Sequence, residues 1–492
     1  MRRDNQQLLI NGQWEAGEGK KRKIINPADE SVIIEIAEAT DHQANNAVNA
    51  ARKAFDETDW SVYPGKRVKV LLKVAELLEN SLHEVARLET LNTGKPIRES
   101  RMDVEDSITC LKYYAGLVDS VSPREIEMED GSASEVIHEP VGVCSLILPW
   151  NFPLLLGMWK IAPALAAGNT VVFKPSEVTP LSIIRFAELL EEAGVPDGVF
   201  NVILGEGATV GEAITANRDV DKVSFTGSVE TGRKINEICA RSFKRVSLEL
   251  GGKSPLLILQ DADIEKAVAW IMFGGFFNQG EVCVAASRIL IHESIYQPVV
   301  RLLTEKVNKI KIGNPLDETT EMGPIVSGNH LGEIKGYLTL GVEDGATLIG
   351  GQQIGVQGFY LQPAIFIDVD QHMRIVQEEI FGPVITVQSF QDEEEAIGFA
   401  NGTNYGLAAG IISEDVDHAF TVASRIKAGT IWINNYHIPY AEAPWGGYKQ
   451  SGIGRELGPQ GLDSYREVKH VNKISQLKAP GWYGFENDRK EG

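Results

Sequence analysis

From residue 141 to residue 250 the chain alternates short apolar runs with amphipathic stretches, and no other feature restricts its fold as much. Segments 141–148, 170–174, 199–204, 222–226 and 245–250 read as strands; 154–167, 181–193, 210–217 and 231–241 read as helices. Gly168-Asn169 and Gly194 stand where two of those helices must stop. Strands that alternate with helices predict a parallel, doubly wound α/β sheet. Ligands of such sheets lie beyond the carboxyl ends of the strands, so the loops after Leu148, Phe173 and Phe225 are where a site is expected. A second alternating region, 256–432, with helices over 264–273 and 296–309, predicts a second α/β domain. Before 141 the chain mixes short strands with charged helices. One covers 41–55, where Ala44, Val48, Ala51 and Phe55 share a face. At 492 residues, a chain of this length is expected to divide into domains.

Segment 140–159 carries no charge for twenty residues, the length of a membrane span. Pro149, Pro153, Asn151 and Gly157 interrupt it, so a strand, a turn and a buried helix are expected instead. The amino-terminal residues lack the apolar core of a secretory signal. A net charge of −21 argues against nucleic acid, which needs clustered Lys and Arg, and suits a cationic small molecule. Cys110, Cys144, Cys239 and Cys283 have neither metal-like nor disulfide-like spacing. They fit a reducing compartment, and a cytoplasmic protein without metal or membrane partner is expected.

Three residues carry chemistry. Cys283 follows Phe276-Phe277-Asn278-Gln279-Gly280-Glu281-Val282, and Gly280 frees the backbone to approach a reactant. The other three cysteines read as small buried hydrophobes. Glu249, in Leu248-Glu249-Leu250-Gly251-Gly252-Lys253, is a carboxylate among apolar neighbours at a strand end, a setting that raises its pKa and suits a general base. Taken alone it reads more often as structural. Asn151, just past a strand, places an amide donor where an oxyanion would form, or is a turn residue. Two glycine loops join strand to helix: 205–211, which contains Gly207 and is one residue off the dinucleotide fingerprint, and 225–232, where Gly227 and Ser228 open a helix suited to a pyrophosphate. Lys174 and Glu177 end a core strand and suit ribose hydroxyls.

Together these segments resemble the aldehyde dehydrogenase superfamily over essentially the whole chain. The matching motifs are PWNFP at 149–153, KPSE at 174–177, FTGS at 225–228, LELGGK at 248–253, the segment ending at Cys283 and EEIFGP at 378–383. The interval from Glu249 to Cys283, 283 − 249 = 34, is the family's. The resemblance implies a Rossmann-type cofactor domain (1–120 and 141–249), an α/β catalytic domain (250–446), and a small β oligomerisation element (121–140 and 463–485) in a homodimer or homotetramer. It implies NAD as cofactor and Cys283 as nucleophile, with Glu249 as base and Asn151 with the Cys283 N–H as oxyanion hole. Lys174 and Glu177 would hold the adenine ribose, Gly227 and Ser228 the pyrophosphate, Glu379 and Phe381 the nicotinamide ribose and ring, and Trp150 would line the cofactor site. Glu281 stands where many members carry Gln; a carboxylate facing the sulfur would raise the thiol pKa, so it is expected to point away.

Stretches 149–168 and 433–458 resemble most the betaine aldehyde dehydrogenases of bacterial glycine-betaine synthesis, which implies an osmoprotective role. Phe152, Trp159, Phe277, Tyr440 and Trp445 are the aromatic residues expected to cage a trimethylammonium group, with Glu442 as an added carboxylate. The alternatives are an ω-aminoaldehyde, an apolar tunnel for ordinary aldehydes, or a non-catalytic structural relative. Retention of Cys283, Glu249 and Asn151 opposes the last, and Glu249 favours hydrolysis over acyl transfer to CoA. No histidine falls in these motifs to serve a cysteine hydrolase.

Overall fold

The computed structural model describes residues 7–120, 124–130, 132–475 and 482–483. The alternating region builds one eight-stranded sheet, in the order Gly452–Ile453, Arg245–Leu250, Lys222–Gly227, Val143–Ile147, Thr170–Lys174, Phe200–Val202, Leu8–Ile10 and Gln13–Glu15. Its five central strands are parallel, as the alternation requires. Its edges, built from strands outside that region, are antiparallel. The reason lies partly in Asn11 and Gly12. Both take left-handed angles (φ 51° and 71°), and the tight hairpin they make returns the chain along the sheet edge.

Register fixes what faces the site. Ile147 lies opposite both Lys174 and Phe225, and Glu249 lies opposite Thr226. The loops carrying Asn151, Glu177, Ser228 and Gly252 therefore leave one rim of the sheet together. The uncharged 140–159 stretch becomes the buried strand Val143–Ile147, a turn, and the helix Pro153–Ala167, every residue of which is buried. Among the described residues no helix is long and apolar enough to cross a membrane. Two sequence expectations shrink. The strand expected at 199–204 spans only Phe200–Val202, and the helix expected at 210–217 opens as a wide turn, Gly207–Gly211, before Glu212–Ala216.

A second sheet of seven strands runs Thr347–Gly350, Ala364–Ile367, Val384–Phe390, Arg288–His292, Pro255–Ile258, Ala408–Ile412 and Thr430–Ile433, parallel except at Thr347–Gly350. A third, antiparallel sheet joins Arg466–Lys473, Ala133–Pro140 and Arg124–Glu127. The expected element at 121–140 and 463–485 overlaps that sheet, although 121–123, 131, 476–481 and 484–485 lie outside the described residues.

Candidate active site

Cys283 enters from a short helix, Phe277–Gly280, in which Asn278 and Gln279 are left-handed (φ 47° and 54°). Gly280 is required there because its φ is +69° and a Cβ would lie 2.2 Å from the Gly382 carbonyl. The glycine thus answers a neighbouring loop, not a bound reactant. Two further contacts hold the cysteine. A Cβ on Gly252 would lie 2.5 Å from the Cys283 carbonyl, and the Tyr436 hydroxyl donates to the Val284 carbonyl at 3.0 Å. Cys283 is half-buried, whereas Cys110, Cys144 and Cys239 are buried, and all four are free thiols. Burial, then Glu379 and Glu249, push the Cys283 thiol up to about 12.

Glu249 is 4% exposed, and neither carboxylate oxygen has a hydrogen-bond partner among the described residues. Burial and Glu456 hold its pKa well above the carboxylate range, against the opposing pull of Lys160 and Arg455. Asn151 is buried and donates from Nδ2 to the Glu281 carbonyl at 3.0 Å. Among the described residues its second N–H has no acceptor, the state an oxyanion donor needs. Glu281 turns away from the sulfur: its Oε1 accepts from the Val326 N–H at 3.0 Å.

The cofactor candidates gather along the same rim. Lys174 is buried, with Nζ 3.4 Å from Glu177, and burial lowers its pKa. Gly211, in the loop that contains Gly207, packs against the Lys174 stem. Ser228 caps the helix Val229–Ala240, accepting from the Thr231 N–H at 3.3 Å, directly after Gly227. Glu379 accepts from the Gly252 N–H at 3.0 Å, and a Cβ on Gly251 would overlap its carboxylate. Burial raises that carboxyl to about 7. Phe381, left-handed at φ 58°, sets its ring edge-on to Trp150 at 5.2 Å. His330, which sequence reasoning missed, binds the Phe381 carbonyl through Nε2 and packs on Trp150 at 5.1 Å.

A cavity of about 230 Å³ leads to Cys283, walled by Phe152, Trp159, Phe277 and Trp445 together with Phe273 and His437. Trp159 and Trp445 meet edge-on at 5.1 Å, and Trp432 backs Trp445 at 6.0 Å. Tyr440 does not join them. It is 55% exposed and outside the cavity wall, and Glu442 is likewise exposed. Residues 437–439 turn inward instead, Trp432 donating to the Ile438 carbonyl at 3.1 Å. The acidic groups at this wall are Asp103 and Asp106, one turn apart on the helix Ile97–Ser120. Burial and neighbouring carboxylates raise Asp106 to about 6. No motif marks these two residues; only helical spacing could have paired them. Burial lowers His437 to about 4, so it stays neutral beside the cavity at neutral pH.

An α/β frame with a half-buried thiol, a buried carboxylate and an amide donor on one rim defines a class of enzyme, and comparison with known proteins agrees. The chain belongs to the aldehyde dehydrogenase family, whose model matches residues 14–471. It is 47% identical to the betaine aldehyde dehydrogenase of Bacillus subtilis over 487 residues, 97% of this chain and 99% of that one. It is equally 47% identical, over 468 residues and 94% of each chain, to an aldehyde dehydrogenase of Emericella nidulans. The solved betaine aldehyde dehydrogenase of Staphylococcus aureus, in complex with NAD+, superposes with a TM-score of 0.95 at 44% identity and 97% coverage of both chains.

Proposed function

We propose that this enzyme oxidises a cationic aldehyde with NAD, betaine aldehyde first among the candidates, to the corresponding acid. The observation that carries this reading is the cavity before Cys283, which Phe152, Trp159, Phe277 and Trp445 line and where Asp106 supplies negative charge, Asp103 being ion-paired with Lys95. A desolvated cation over an aromatic face gains about 2 kcal/mol. His437, neutral at working pH, adds no repulsion.

The residues of this rim fit a dinucleotide. Gly251 leaves room for Glu379 to bind the Gly252 N–H, and Lys174 stands buried beside Glu177. When bound, NAD supplies the hydride acceptor. Lys174 and Glu177 hold the adenine ribose, and Glu177 favours NAD by repelling a 2′-phosphate. Gly207, Gly227 and Ser228 hold the phosphates; Glu379, Phe381 and Trp150 hold the nicotinamide half. Cys283 Sγ attacks the carbonyl carbon and its proton passes to the ionised fraction of Glu249. The second N–H of Asn151 and the Cys283 N–H stabilise the oxygen of the thiohemiacetal. Loss of hydride from that carbon leaves a thioester on Cys283. Glu249, its first proton released to solvent, then takes a proton from the water that attacks the thioester, and the C–S bond breaks to free the acid and the Cys283 thiol.

An ω-aminoaldehyde is the second reading, favoured by Asp106 and by the displacement of Tyr440 from the cavity wall, since a primary ammonium prefers a carboxylate to aromatic faces. NADH formation with betaine aldehyde, an ω-aminoaldehyde and a neutral aliphatic aldehyde separates the readings. Trp445→Leu is expected to raise KM for betaine aldehyde about ten-fold; Asp106→Asn is expected to act mainly on the ω-aminoaldehyde. Equal kcat/KM for the neutral aldehyde would reduce the cage to an apolar tunnel.

A second copy of the chain completes the proposed assembly. The strand Arg466–Lys473 pairs on one side with Ala133–Pro140, and Val468, Val471 and Ile474 are exposed on or beside it. The four free thiols and the absence of a membrane-crossing helix among the described residues support a cytoplasmic setting.

A further inference from the structure

Beneath the site lies a buried cluster that the mechanism does not use. Lys95 is fully buried, ion-paired with Asp103, and sets Nζ 3.7 Å above the face of Phe152. Around it stand two more buried carboxyls, Glu89 and Glu99, and all four residues belong to the corner joining the helices Leu82–Thr93 and Ile97–Ser120. One cation thus faces three carboxyls, an arrangement costly for stability alone.

Glu89 and Glu99 reach different walls of the site. Glu89 Oε1 accepts the Leu154 N–H at 2.8 Å, three residues after Asn151. Glu99 Oε2 accepts the Asn278 N–H at 3.0 Å, in the left-handed turn that leads to Cys283. Asn278 then closes the loop: its Nδ2 donates to the Asn151 carbonyl at 3.3 Å and to the Glu281 carbonyl at 3.2 Å. Asn151 Nδ2 donates to that same Glu281 carbonyl.

We propose that Glu99 and Glu89, gathered by Lys95, are positioning residues that brace the two walls of the oxyanion site and set Asn151 against Cys283. The inference rests on the reading of Asn151 as oxyanion donor. Burial raises Glu89 to about 7 and Glu99 to about 8, so near neutral pH both are largely or partly protonated. Their work is to accept an N–H, which a carboxamide oxygen also does. Glutamine is therefore the conservative replacement at either position, and alanine removes the brace.

The test compares two reactions of Cys283. Acylation, read as the pre-steady-state NADH burst, needs the oxyanion site; alkylation by iodoacetamide forms no oxyanion. Glu99→Ala is expected to slow acylation at least ten-fold with alkylation within two-fold of wild type, and Glu99→Gln to restore acylation. If Glu99→Ala fails to fold, Glu99→Asp, whose carboxyl is one methylene short, serves and is expected to slow acylation likewise. Wild-type acylation in the alanine or aspartate variant, or an equal loss of both reactions, would overturn the brace. Asn151→Ala is the control: if acylation is unchanged there, the oxyanion reading itself fails, whatever Glu99 does.

Discussion

At the residue scale, the three residues proposed to carry the chemistry stand out because each breaks the pattern around it: a carboxylate inside an apolar strand, an amide between prolines, a thiol after a glycine. The substrate wall was less legible. Tyr440 and Glu442 belong by sequence to the same segment as Trp445, yet they face solvent while residues 437–439 turn inward. Nothing in a loop without periodicity tells which side chains point in. Asn151→Ala is expected to lower the acylation rate ~10²–10³-fold, the usual loss for one oxyanion donor, checked by burst kinetics. Cys283→Ala should abolish NADH formation. The pH dependence follows from burial. Burial keeps the Cys283 thiol protonated at neutral pH and holds Glu249 well above the carboxylate range, so the reactive thiolate and the base grow as pH rises. The rate is expected to climb from pH 6 to pH 9 under saturating cofactor; a profile that falls over this range would remove Glu249 from the base role.

At the scale of elements, strand–helix alternation predicted the parallel core because a buried parallel strand must be apolar on both faces. Helix stops at Gly168 and Gly194 were legible for the same kind of local reason, both glycines being left-handed (φ 98° and 82°). The antiparallel edges escaped, since strands of two or three residues are too short to show a period. The turn between Glu249 and Cys283 also has an element-level demand. Gly252→Ala places a methyl against the Cys283 carbonyl and is expected to cost at least ten-fold in kcat with little change in overall helix content, measured by steady-state rates and circular dichroism. The helix corner beneath the site makes a stability prediction. Glu99 has its folded pKa raised, so its contribution is full below the unfolded value near 4.5 and is lost as pH rises through about 8. Glu99→Gln is expected to flatten the fall of Tm between pH 6 and pH 9; an unchanged slope would show that Glu99 does not titrate there.

At the scale of the whole molecule, the strand Arg466–Lys473 is, among the described residues, an open edge carrying Val468 at 67% exposure, a liability in a lone chain. Val468→Lys with Val471→Lys is expected to shift the particle toward monomer in light scattering while the fold persists. An unchanged mass would place the subunit contact elsewhere. What the sequence by itself determined is the alternating α/β frame, the family, and the residues whose type alone suits the chemistry. These follow from periodicity and from polar groups in apolar surroundings, both local properties of the chain. Tertiary structure alone decided which parts of remote segments meet: Glu99 with Asn278, Asp106 with the aromatic wall, Glu379 with Gly252. Those pairings join residues far apart in sequence, and they arise only where burial forces each polar group to find a partner from another element.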